Sequence, residues 1–421
     1  MIKAIKGTSD TLPEEIPFWD FLTDIVKEQM NVFNYKEIRT PIFEHTALFS
    51  RGIGEGTDIV SKEMYSFTDR SENNVTLKPE MTASVVRAYI EHSLGKKSNL
   101  HKLFYVSPMF RQERPQAGRL RQFHQFGVEA IGNHNPSLDA EVIHVAYTIL
   151  TNLGLKEIEV KINSLGVPEE RESFTKKLKE FLNDKKDELS EDSKKRLKNN
   201  VLRIIDSKDR NDQRLLKDAP SILDFLGSES LEHFEKVKEL LTIAKIPFSV
   251  EPKLVRGLDY YTHTTFEITS SRVGSQSALC GGGRYNLLIE QLGGSSTPAI
   301  GFAAGIERIL IACKAEEAFT PKDDELDIYL VRLDKELENK VFEFASFFRN
   351  NNLKIEFDHS AKSVKAQMRE ANRLNAKFVL FVGGEEYERG QAQFKNMQTS
   401  EQEFVDLDKL ENITNLVSKK E

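Results

Sequence analysis

Phe110-Arg111-Gln112-Glu113-Arg114 and, a few residues on, Arg121-Gln122-Phe123-His124-Gln125-Phe126-Gly127-Val128-Glu129 are the stretches on which the reading of this chain turns. Their β-rich, alternating pattern predicts two strands, 103–113 and 122–131, joined by a basic hairpin loop over 114–121. On the second strand Phe123, Gln125 and Glu129 share one face, while Gln122, His124 and Phe126 share the other. A face that only packed would carry valine or isoleucine at 125 and 129. A polar group buried there without a partner costs about 1–3 kcal/mol. A solvent-facing strand with scattered polar residues is the plainer alternative. The arginines and the carboxylate at both strand ends favour a converging polar site.

Upstream, Phe18, Phe21, Leu22, Ile25, Val26 and Phe33 recur at helical spacing and predict an amphipathic helix over 18–33. Residues 35–43 turn strand-like, with Pro41 inside; proline lacks the ladder donor, which pushes the strand to an edge or an interface. Short strands follow near 64–67 and 75–77, then a helix over about 79–92 with Pro79 in its first turn.

Downstream, a helix begins at Ser137, with Asp139 and Glu141 in its first turn, and Gly154 ends it. No glycine lies between Gly166 and Gly227, and mixed-sign charges dominate that stretch, which reads as a helical insertion. From Val255 the glycines return, with strands expected over 261–269 and 276–279 and a helix over about 306–312. After a polar linker, 314–325, strands at 326–332, 354–357 and 378–382 alternate with helices at 335–350 and 362–374. That alternation predicts a small, mostly parallel α/β domain.

The 421 residues correspond to two or three domains at roughly 150 residues each. With 39% hydrophobic and 30% charged residues, the chain is neither disordered nor collagen-like. Its only cysteines, Cys280 and Cys313, exclude a disulfide framework. No apolar run reaches the roughly 20 residues that cross a bilayer, and 1–6 lacks the apolar core of a secretory signal. A cytoplasmic protein without membrane attachment is the expectation. The net charge of −7 argues weakly against a nucleic-acid partner, but it leaves room for a local basic patch.

Three more stretches carry chemistry. In Arg256-Gly257-Leu258-Asp259-Tyr260-Tyr261 an arginine beside a glycine can aim its guanidinium at an anion, although read alone it is better explained by a surface salt bridge. Gly281-Gly282-Gly283-Arg284-Tyr285 lets backbone pass close to another surface or a ligand, without the lysine of a P-loop or the flanking strand of a Rossmann fingerprint. Gly301-Phe302-Ala303-Ala304-Gly305-Ile306-Glu307-Arg308 runs from strand to helix and sets a cation near the helix start, against the dipole. A bound anion would relieve that conflict; taken singly, an ordinary surface arginine accounts for it equally well.

Together and in this order, these stretches resemble a class II aminoacyl-tRNA synthetase of the bacterial histidyl type over the whole chain. Arg39-Thr40-Pro41 resembles motif one, 110–129 motif two and 301–308 motif three. Arg256-Gly257-Leu258-Asp259-Tyr260-Tyr261 and Leu77-Lys78-Pro79-Glu80-Met81-Thr82 resemble loops of the histidine enzyme. The resemblance implies an α+β fold, with an antiparallel sheet of six to seven strands flanked by helices. The catalytic domain would span 1–325, with a helical insertion at about 165–250 approaching the tRNA acceptor arm. An α/β anticodon-binding domain would fill 326–421.

It also implies roles. Glu80, Thr82 and Gln125 would hold the α-amino group of L-histidine; Glu129 and Tyr261 would read the two imidazole nitrogens, and Tyr260 would line the pocket. Arg111 would clamp the α-phosphate of ATP and Arg308 the γ-phosphate, with Arg119 assisting. Glu113 would take the adenine amino group and Phe123 would stack on the ring. Arg256 would bridge the histidine carboxylate and the α-phosphate in the catalytic step. Mg2+ would accompany the ATP phosphates, with no protein metal site. The implied partners are a histidine tRNA, met at acceptor stem and anticodon, and a second copy in a homodimer. One departure is Met81, where the family's loop has glycine; a slightly altered loop with retained function is expected. A regulatory paralogue that binds histidine or a partner enzyme without making adenylate is the main alternative. A synthetase for another amino acid would leave 256–261 unexplained.

Overall fold

The computed structural model describes residues 1–54, 57, 59–199, 201–255, 260–321, 325–360 and 362–418. The chain divides into two compact units, Met1–Pro321 and Lys322–Glu421. The strands of the first are β1 (Lys36–Glu37), β2 (Phe43–His45), β3 (Tyr65–Thr68), β4 (Asn74–Leu77), β5 (His101–Phe110) and β6 (Gln122–Ile131). They continue with β7 (Ile158–Ser164), β8 (Phe248–Val250), β9 (Thr262–Ser270), β10 (Ala278–Arg284) and β11 (Ala299–Gly305).

Eight of these form one sheet in the order β1-β5-β6-β11-β10-β9-β7-β8. The six inner strands pair antiparallel, from β5 with β6 through to β9 with β7. Parallel pairs close both edges, β1 with β5 and β7 with β8. The sheet therefore exceeds the expected six to seven strands and is mixed at its rims. The strands at those rims are only two and three residues long.

Alternation on β6 separates two cores. Phe126, Val128 and Ala130 point into one, packed under the helices Ile16–Val32, Pro136–Asn152, Ser228–Ile243 and Ile306–Ala315. Ile131 joins the other with Tyr105, Met109, Tyr285 and the helix Thr82–Glu91. Helices fill the charged stretch between Pro168 and Ile243. The earlier of them build on Phe174, Leu178, Leu182 and Ile204 in the second core, whereas Phe234, Val237 and Leu241 of the last belong to the first.

Two expected elements are broken. The strand expected over 35–43 becomes β1 and β2 in different sheets, because Pro41 offers no N–H to continue a ladder. The helix expected from Pro79 starts at Thr82, because the Glu80 carboxylate takes the N–H groups of Thr82 and Ala83 at 2.7 and 2.9 Å and caps it there.

The second unit holds β12 (Leu326–Arg332), β13 (Ile355–Phe357), β14 (Ala376–Val382), β15 (Gln391–Asn396) and β16 (Gln402–Asp406), ordered β13-β12-β14-β15-β16. The first three are parallel, as the alternation predicts. The antiparallel β15 and β16, and the helix Leu410–Ser418, escaped the sequence reading. Those two strands bury only Ala392, Phe394 and Val405 among polar neighbours, so they read as loop. No helix among the described residues is long and apolar enough to cross a membrane.

Candidate active site

A cleft opens on the face of β6 that carries Phe123, Gln125 and Glu129, and two chemically opposite ends line it. The acidic end grows from the turn before the helix Thr82–Glu91. Glu80 is buried there by its capping bonds, and the Thr82 hydroxyl donates to Glu129 Oε1 at 2.8 Å. The Tyr285 hydroxyl donates to the other oxygen of Glu129. Burial raises the pKa of Glu80. It pushes Glu129 up to about 8, and the neighbouring charge of Glu80 adds to the rise against the hydrogen bonds from Tyr285 and Thr82.

The aromatic wall consists of Tyr260 and Tyr261, ring centres 4.8 Å apart, with Tyr285 edge-on to Tyr260 at 5.7 Å. Burial holds the Tyr260 hydroxyl well above its ordinary pKa, so it stays a neutral donor. Arg171, in the first turn of the helix Pro168–Asn183, donates to the Tyr261 carbonyl at 2.8 Å and supports this wall from behind. Gln125 Oε1 lies buried without a hydrogen-bond partner, an acceptor waiting for a donor from the cleft.

The floor between the ends is nearly bare backbone. A Cβ at Gly301 would fall 2.1 Å from a Glu129 carboxylate oxygen, so no side chain fits where β11 passes β6.

The basic end is built on backbone carbonyls. Arg111 Nε donates to Pro79 O at 2.8 Å, with its guanidinium 5.2 Å from the Phe123 ring centre. Arg308 Nε donates to Gly118 O at 2.7 Å and Nη1 to Ala278 O at 3.1 Å. Glu113 stands between Arg111, at 3.7 Å, and Arg119, at 3.2 Å. Burial lowers the pKa of Arg308, and the like charges of Arg119 and Arg111 lower it further. Three guanidiniums, Arg111, Arg119 and Arg308, against the carboxylates of Glu113 and Glu307 leave this end with a surplus of positive charge, which suits a polyanion.

The cleft thus brings together Glu80, Thr82, Arg111, Glu113, Arg119, Phe123, Gln125, Tyr260, Tyr261 and Arg308, with Glu129 bonded to Thr82 at its edge. Arg256 lies outside the described residues. Met81 is buried against the same core, and the Thr40 hydroxyl meets its sulfur at 3.4 Å.

The family pattern of histidyl-tRNA synthetase matches residues 7–309, and that of an anticodon binding domain matches 327–415. The chain belongs to the histidyl-tRNA synthetase family. It is 47% identical over 401 residues to the histidine–tRNA ligase of Halothermothrix orenii, covering 95% of this chain and 96% of that one. Against the ligase of Listeria monocytogenes the identity is 46% over 414 residues, 97% of each chain. The crystal structure of apo histidyl-tRNA synthetase from S. aureus superposes with a TM-score of 0.82 at 40% identity, covering 97% of this chain and 98% of that one.

Two residues of this synthetase-family cleft were not singled out by sequence. Tyr285 was quoted only as the end of a glycine run; a strand stripped to glycine and closed by an aromatic is the signal of a pocket floor with a wall at its edge. It is held from the opposite face, where the preceding Arg284 is fully buried and ion-paired with Asp139. Glu307 lines the cleft and accepts from the His124 backbone at 2.9 Å and from its ring at 3.0 Å. Its signal was its place beside Arg308 at a helix start.

Proposed function

We propose that the cleft activates L-histidine with ATP and hands it to tRNA: the chain is a histidine–tRNA ligase. The observation that carries the reading is the cleft's two-ended charge. Buried carboxylates and an orphaned Gln125 oxygen suit an ammonium, and the opposite end gathers three arginines. Glu80, Gln125 and the remaining lone pairs of Thr82 receive the α-amino group. Glu129 and Tyr261 read the imidazole edges. An apolar isostere would leave those groups unpaired and is rejected.

Arg111 clamps the α-phosphate, and Arg119 and Arg308 hold the outer phosphates. Phe123 and Glu113 receive the adenine. The histidine carboxylate then attacks the α-phosphate in line, giving histidyl-adenylate and pyrophosphate. A terminal ribose hydroxyl of tRNA attacks the acyl carbon and releases AMP. Neither step uses a side-chain nucleophile. Positioning and fixed positive charge lower the barrier, and the family resemblance assigns Arg256 the role of bridging the two reacting groups. Magnesium enters with the ATP phosphates; among the described residues no group of three or more histidines, cysteines or carboxylates could hold a metal ion.

The unit Lys322–Glu421 binds the anticodon, the helices after β7 approach the acceptor arm, and the enzyme works in the cytoplasm. A homodimer is supported by the small sheet β2-β4-β3. Register puts Phe43, Leu77, Tyr65 and Phe67 on one face, with Phe43 and Phe67 56% and 50% exposed in the single chain. The regulatory alternative is not favoured, since Arg111, Arg119, Arg308 and the C-terminal unit are all kept.

Histidine-dependent ATP–pyrophosphate exchange tests the reading. Exchange with histidine and no other amino acid is expected; histidine binding without exchange would overturn it in favour of the regulatory class.

A further inference from the structure

Between Met1 and Ile16 only Gly7 and Thr8 are shielded from solvent. The N-terminal segment therefore adds almost nothing to a core, and Gly7 meets the root of the loop 114–121. Gly7 O accepts the amide N–H of Arg121 at 2.7 Å, while Arg121 O accepts from the Arg111 amide at 2.9 Å. The backbone of Arg121 is thereby held on both sides at the root of the hairpin. Gly7 itself is fixed by a tight turn, in which the Thr8 amide and hydroxyl both donate to Ile5 O, at 2.9 and 2.7 Å.

Two constraints restrict position 7 to glycine. Its φ is +91°, where side-chain-bearing residues are strained, and a Cβ would lie 2.8 Å from both Pro115 Cγ and Arg121 Cγ. The proline ring cannot swing away as a long side chain can. Further along the loop, Gly118 O receives Arg308 Nε at 2.7 Å, and Arg119 meets Glu113 at 3.2 Å.

We infer that the turn at 5–8 seats the loop 114–121 on the nucleotide end of the cleft, with Gly7 as a positioning residue for ATP. The inference rests on reading that end as the ATP site. Gly7 touches no reacting atom; it acts by fixing where Gly118 and Arg119 stand relative to Arg308. Displacing the loop withdraws the carbonyl that orients Arg308 and moves Arg119 off Glu113. The histidine end, built from other elements, keeps its geometry.

The test uses Gly7→Ala and Gly7→Val in the full chain, with ATP and histidine titrated separately in the exchange reaction. Trypsin cleavage after Arg119 and Arg121 is followed alongside, with and without ATP. For Gly7→Val, KM for ATP is expected to rise about tenfold with KM for histidine and the thermal midpoint unchanged. Loop cleavage is expected to quicken, with a smaller effect in Gly7→Ala. An unchanged KM for ATP in Gly7→Val, or a parallel rise in both KM values with a lowered midpoint, overturns the inference. Absence of histidine-dependent exchange in the unsubstituted protein would instead strike the functional reading. The cleavage rates would then still decide the loop's seating: faster cleavage in Gly7→Val supports it and equal rates overturn it.

Discussion

The two ends of the cleft are prepared for their ligands in opposite ways. At the acidic end the protein has closed its own hydrogen bonds: Glu80 on two backbone amides, Glu129 on Thr82 and Tyr285. At the basic end like charges are crowded and held by backbone carbonyls, and burial together with neighbouring guanidiniums lowers the pKa of Arg308. A pocket whose carboxylates are already bonded, with the Gln125 oxygen left open for a donor from the ligand, suits discrimination, because a wrong side chain leaves buried groups unpaired. A cluster only partly neutralised by Glu113 and Glu307 suits a substrate whose negative charge grows in the transition state.

Breaking the basic end should have the larger effect on rate. Under the proposed function, Arg111→Ala removes a planar fork from the α-phosphate, and loss of one such donor costs about a hundred- to a thousandfold in kcat. Histidine binding, measured by calorimetry without ATP, should be unaffected. Arg111→Lys should recover little, since a point charge replaces a bidentate fork. Weakened histidine binding in either variant would show that the two ends are not separate.

Breaking the acidic end should appear first in KM. Glu129→Gln keeps the shape but cannot ionise, and histidine KM should rise by about a hundredfold with ATP KM unchanged. The same variant tests the pH argument. The folded pKa of Glu129, about 8, lies above its ordinary value of 4.5. Its contribution to stability is therefore intact below 4.5 and lost as pH rises through about 8. Thermal midpoints of the ligand-free protein should fall between pH 5 and 9, and Glu129→Gln should flatten that slope. Identical slopes for both proteins would assign the neighbouring groups a larger part than Glu129.

How much of this was legible in the sequence follows from the same contrast. The alternation on β6 located Phe123, Gln125 and Glu129 on one face, and the long helices and inner strands showed their periods plainly. The arginines were nominated by the family resemblance; read singly, Arg256 and Arg308 pass for surface arginines. What sequence could not supply was the tertiary partner: that Glu80 shortens its helix by capping it, that Pro41 hands the chain from one sheet to another, or that Tyr285 bends onto Glu129. The edge strand β8 and the half-polar β15 and β16 were missed because their alternation is too short or too weak. Pairing energy from neighbouring strands, not local pattern, makes them strands.

The smallest effect sharpens the comparison most. Just as Gly7 supports the nucleotide loop, Arg171 supports the tyrosine wall by donating to the Tyr261 carbonyl at 2.8 Å from a helix outside the cleft. Arg171→Ala removes a charge-assisted bond to a backbone group, worth about 1.5–3 kcal/mol where nothing replaces it. Water can take up part of the loss at this half-buried site. A rise of about tenfold in histidine KM is expected, with ATP KM and loop cleavage unmoved, and Arg171→Lys should restore part of it. A selective effect would mean each end has its own support, reached from a different part of the chain. If Arg171→Ala raised ATP KM as well, the tyrosine wall and the phosphate loop would be one mechanical unit, and the apparent division of the cleft would be of charge alone.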